Sequence, residues 1–124
     1  MKAISTTKAP GAIGPYSQAI EVGDFIYTSG QIPIDPTTGT FAEGGIKEQT
    51  RQSLQNIKAI LEEAGSAMEK VIKTTVFLSD MNYFADMNSI YAEFFSEPYP
   101  ARSAVAVKTL PKNALIEIEV VATK

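Results

Sequence analysis

The chain has 124 residues, 44% hydrophobic and 20% charged, the balance of one globular domain large enough for a core. It holds no His, no Cys and no Trp, which excludes Ser-His-Asp and Cys-His relays, disulfides and ordinary zinc or iron–sulfur sites. The net charge of −3, with basic residues scattered rather than clustered, argues against a nucleic-acid groove and leaves a small ligand.

Residues 2–6 can supply an edge strand. The alternation Ser17–Val22, the Gly23-Asp24 turn and the β-rich run Phe25–Ser29 predict a hairpin. Residues 33–45 carry two Pro and three Gly and form a loop. From Ile46 the apolar period changes to three or four, through Thr50, Leu54, Ile57, Leu61 and Ala64, and predicts a helix stopped at Gly65. Val71–Leu78 reads as a strand by its β-branched content. A second helix runs from about Tyr83 to Phe95, with Phe84, Met87, Tyr91 and Phe94 on one side and Asp80 or Asn82 as its cap. Pro98 and Pro100 end it before two further strands, 101–107 and 115–122. The order is then β-β-β-α-β-α-β-β, an α+β domain over residues 1–124 with a mixed sheet and two helices on one face. Its other face must meet solvent or another copy.

The last two strands each carry charge inside an apolar run. Side chains two apart in a strand share a face. Ile116, Ile118, Val120 and Ala122 therefore oppose Leu115, Glu117, Glu119 and Val121, and Ser103, Val105 and Val107 oppose Arg102, Ala104 and Ala106. If the two strands pair antiparallel with their apolar faces matched, Arg102 shares a polar face with Glu117 and Glu119. A structural ion pair is the plain alternative to a site.

Three stretches, Ala12–Gln18, Thr28–Pro33 and Pro100–Ser103 followed by Leu110–Glu119, resemble the Rid family of reactive-intermediate enamine and imine deaminases. These YjgF-like proteins were once labelled endoribonuclease L-PSP or translation inhibitors. Gln49–Ile57 and Val71–Leu78 match as well, so the resemblance runs from end to end. It implies a chorismate-mutase-like fold and a homotrimer with clefts between subunits. It also implies hydrolysis of 2-imino acids, such as 2-iminobutanoate and 2-iminopropanoate, to 2-keto acids and ammonia. Arg102 falls on the family Arg that grips the substrate carboxylate, and Glu117 on the Glu that serves the attacking water. Tyr16, Ser29, Gly30 and Asn88 fall on cleft positions, and Ala104 stands where many members have Cys.

These groups suit such chemistry. An Arg fork makes two parallel charge-assisted bonds to a carboxylate, and one Glu can orient water and carry a proton. No cofactor or metal is needed. A cytoplasmic protein is the expectation, since no apolar stretch approaches the ~20 residues of a membrane helix and the start lacks the pattern of a signal peptide. Two other readings remain: a regulatory trimer that binds small carboxylates without turnover, and a ribonuclease or translation inhibitor, which the missing His and basic patch disfavour.

Overall fold

A computed structural model describes residues 1–124. The strands are β1 (Lys2–Ile4), β2 (Ala19–Val22), β3 (Phe25–Thr28), β4 (Val71–Leu78), β5 (Ala101–Ala106) and β6 (Ile116–Thr123); the helices are α1 (Ile46–Glu63) and α2 (Phe84–Phe94). One six-stranded sheet runs in the order β1-β2-β3-β6-β4-β5, antiparallel except for the parallel pair of β4 and β5. The α+β domain with two helices thus follows the predicted order, with element ends shifted by a residue or two.

Local chemistry fixes both ends of α1. At the start of α1 the Glu48 carboxylate reaches back to accept from the Gly45 N–H at 2.8 Å. At its end Gly65 takes φ +79, which glycine adopts without strain, so that its N–H reaches the Glu62 carbonyl and the Ser66 N–H the Leu61 carbonyl. Before α2 the Asp80 carboxylate accepts from the Asn82 N–H and caps the short 3-10 turn Met81–Tyr83; α2 itself follows directly from Tyr83 without a side-chain cap, so neither Asp80 nor Asn82 caps it as expected.

Leu54, Ile57, Ile60 and Leu61 of α1 are fully buried in one cluster with Ile26, Val76, Leu78, Ile116 and Ile118 of the sheet. Burying each such side chain contributes about 1.5–3 kcal/mol. The opposite sheet face carries no helix, and Phe25, Tyr27 and Val105 remain 40%, 47% and 46% exposed on it. No helix is long and apolar enough to cross a membrane.

The register corrects one expectation. β5 and β6 are not neighbours, because β4 lies between them and pairs with both. Arg102 stands beside Thr74, which stands beside Val120, and Ala104 beside Val76, which stands beside Ile118. Arg102 and Ala104 therefore face the helices, whereas Glu117, beside Phe77, and Glu119, beside Thr75, point to the uncovered face. The shared polar floor does not exist within one chain. Matching the branched residues of the two strands picked the wrong face of β5, an edge strand whose small alanines lie on the helix side while Val105 stays exposed.

Candidate functional site

The seven residues singled out in the sequence fall into two groups. The first surrounds Arg102. Its Nη1 donates to Asn88 Oδ1 at 2.7 Å, and its Cζ lies 4.7 Å from the centre of the Tyr91 ring and 5.4 Å from that of Phe84. Asn88 and Tyr91 are one helical turn apart on α2 and so project toward the same edge strand. Tyr91 is held in turn, its hydroxyl 2.8 Å from that of Thr74, and burial pushes its pKa up against the opposing pull of that bond and of Arg102. Stacking and one amide bond thus hold the guanidinium, with donors to spare among its five N–H groups. It opens on a cleft of about 530 Å³ lined by Asn88, Tyr91, Ala92, Tyr99, Pro100 and Arg102. Ala104 follows two residues along on the same face, half-buried.

The second group surrounds Glu117. A Cβ placed on Gly30 would overlap the Glu117 carboxylate and lie 2.7 Å from its Cδ, so the missing side chain is what lets the carboxylate sit there. Gly30 is held in place because Gln31 exchanges backbone bonds with Ile118, at 2.7 and 3.2 Å. Ser29 ties in the preceding loop: its N–H donates to the Gln18 carbonyl and its Oγ donates to the Ser17 carbonyl at 2.6 Å. Tyr16, next in that loop, is half-exposed. Burial first, and the Glu119 charge second, push the Glu117 pKa above the ordinary glutamate value.

The two groups do not meet within a chain. Two strand spacings of about 4.8 Å each separate β5 from β6, and the side chains leave opposite faces of the sheet. Sequence reasoning read Tyr91 only as part of an apolar stripe, and it passed over Tyr99. Tyr91's spacing of three from Asn88 was the available signal for a shared role. His and Cys are absent from the sequence, and no group of three carboxylates gathers in the fold.

The family described as endoribonuclease L-PSP matches residues 6–124. The chain belongs to that family. Among endoribonuclease L-PSP relatives, a RutC family protein of Pyrococcus abyssi is 60% identical over 121 residues, spanning 98% of this chain and 95% of that protein. The 2-iminobutanoate/2-iminopropanoate deaminase of Salmonella typhimurium is 51% identical over 126 residues, spanning 99% and 98%. The crystal structure of E. coli TdcF with bound serine superposes with a TM-score of 0.95 at 46% identity, covering 100% of this chain and 99% of that one. The Rid resemblance carried by the sequence motifs and this family membership agree.

Proposed function

We propose that the chain hydrolyses reactive 2-imino acids to 2-keto acids and ammonia, in a cleft where the Arg102 group of one copy meets the Glu117 group of another. The observation that carries this reading is the split itself. A built cation clamp and a carboxylate raised in pKa lie on opposite faces of one sheet, too far apart to share a small ligand within one chain. The uncovered face, with Phe25, Tyr27 and Val105 exposed around Glu117's side of the sheet, is suited to receive a second copy. The homotrimer that the Rid family resemblance implies would give three such sites related by symmetry.

The chemistry follows from the groups. Arg102 binds the substrate carboxylate through its fork, with Asn88 and Tyr91 keeping the fork in one orientation. Glu117 takes a proton from water as the oxygen adds to the protonated imine carbon. Glu117 then hands that proton to the nitrogen of the carbinolamine; as the C–N bond breaks and ammonia leaves, the hydroxyl gives its own proton back to the Glu117 carboxylate and the carbonyl forms. A carboxyl whose pKa lies above the ordinary value exchanges protons more readily near neutrality than an exposed one. Gly30 makes the room in which that carboxyl sits, Ser29 and Tyr16 wall the same side, and Ala104 continues the floor beside Arg102. The Salmonella relative's name as a 2-iminobutanoate/2-iminopropanoate deaminase supports the reaction class.

Loss of enzymatically generated 2-iminobutanoate, with semicarbazide trapping what remains and no cofactor added, tests the reading. Wild-type protein diverts the imine to keto acid before it can be trapped, and Arg102→Ala does not. Binding of 2-ketobutyrate without any acceleration would replace the reading with that of a regulatory carboxylate binder.

A further inference from the structure

α1 carries polar side chains where a packed helix would ordinarily be apolar. Gln49, Ser53 and Asn56 recur along one stripe and are all buried, Gln49 at 7% exposure and the other two at 1% or less. Burying amides without partners is unfavourable, so their bonds show what the stripe does. Gln49 Oε1 accepts from the Leu115 N–H at 2.9 Å, two residues before Glu117. Asn56 Nδ2 donates to the Ile34 carbonyl at 2.9 Å and to that of Ile32 at 3.5 Å, just beyond Gly30, and its Oδ1 accepts from Gln52. Nothing in the structure explains Ser53, whose buried hydroxyl has no partner.

The two held segments are the two walls of the Glu117 carboxylate. One runs from Leu115 into β6 and carries Glu117; the other runs from Gly30 to Ile34 and provides the space the carboxylate occupies. They are joined to each other at Gln31 and Ile118 and to α1 at Leu115, Ile32 and Ile34. We propose that Gln49 and Asn56 are positioning residues: from the buried stripe of α1 they clamp these two segments together and thereby fix where the Glu117 carboxylate points. The inference rests on the reading of Glu117 as the group that serves the attacking water. Neither amide belongs to the Arg102 group, so their loss leaves the carboxylate clamp intact.

The test is Gln49→Met, which keeps the length of the side chain and removes its acceptor, compared with Gln49→Glu, whose carboxyl oxygen can still accept from Leu115. In the imine assay kcat falls about ten- to hundredfold in Gln49→Met, KM changes less than about twofold, and Gln49→Glu recovers most of the loss. Gln49→Asn, which shortens the reach by one methylene, moves kcat in the same direction and serves if the Met variant does not fold. A folded Gln49→Met or Gln49→Asn with wild-type kcat overturns the proposal.

A second measurement decides it without turnover, and so separates its failure from failure of the assigned activity. The carboxyl carbon of Glu117 is followed by NMR through a pH titration. In Gln49→Met the loosened strand admits water and the midpoint falls toward that of an exposed glutamate. Glu119 on β6, Lys73 on β4 and Tyr27 on β3 stand on the same face and are unaltered by the substitution. A midpoint unchanged from wild type overturns the positioning role even if imine turnover is never seen. If the wild type shows no turnover while the midpoint shifts, the clamp stands and the assigned reaction falls.

Discussion

Gly30→Ala puts the weakest-looking residue of the site to the hardest test. The φ of Gly30 lies outside the left-handed region, so alanine fits its backbone. On backbone grounds alone the change should stabilise the fold by about 0.4–1 kcal/mol, because the unfolded chain loses freedom. The new methyl carbon, however, would lie 2.7 Å from Glu117 Cδ and 3.0 Å from its Cγ, and would overlap the carboxylate itself. Glu117 is only partly buried and its carboxylate ends a side chain with rotatable bonds, so it swings toward solvent and the fold survives. The two effects on stability nearly cancel, and Tm moves by no more than about 5 °C. Activity does not escape in the same way. Displacing a catalytic group by about 1 Å costs on the order of a hundredfold in rate, and the proton transfer at stake is worth about 10²- to 10⁴-fold. Steady-state imine hydrolysis should therefore show kcat/KM reduced about a hundredfold, alongside a near-normal melting curve. A folded Gly30→Ala protein with wild-type kcat/KM would refute the placement of Glu117 in the site.

Arg102→Lys keeps the charge but loses the fork, the stacking on Tyr91 and the bond to Asn88; kcat/KM for 2-iminobutanoate falls about ten- to a hundredfold, mainly through KM, in steady-state assays. Because burial and Glu119 raise the folded pKa of Glu117, the folded protein binds that proton more tightly than the unfolded chain. The stability it contributes is present below the unfolded glutamate pKa and is lost as pH rises through the folded value. Glu117→Gln should accordingly raise Tm at pH 7, with the advantage vanishing in melts below the ordinary glutamate pKa. Glu119→Gln removes the second cause of the shift and lowers the midpoint of the acid limb of kcat/KM, measured from pH 4 upward. Ile57→Ala, at a fully buried position, costs about 2–5 kcal/mol in urea unfolding.

Much of the fold was legible because its signals are local. Leu54, Ile57 and Leu61 repeat at helical spacing and all end in the core, and Gly65 stops α1 because only its left-handed φ lets the closing bonds form. The parity of β6 was equally plain, with Ile116, Ile118, Val120 and Ala122 buried on one face. Parity alone does not say which strands are neighbours. β4 enters between β5 and β6 by a parallel pairing that depends on α2 crossing over, and no residue of β5 or β6 announces it. At the candidate site the motifs named the residues but not their grouping. The fit of Glu117 against Gly30 and the bonds of Gln49 and Asn56 join segments far apart in the chain, and polar residues on a helix read as a solvated face until their burial is known.

Subunit complementation tests the central claim, that one site takes Arg102 from one copy and Glu117 from another. Arg102→Ala and Glu117→Gln proteins, each inactive alone, are unfolded together in equal amounts and refolded. In a randomly mixed oligomer about a quarter of the sites join an intact Arg102 to an intact Glu117, so imine hydrolysis should return to about a quarter of the wild-type rate. A refolded mixture that forms hybrid oligomers and stays as inactive as its parents would contradict the shared site.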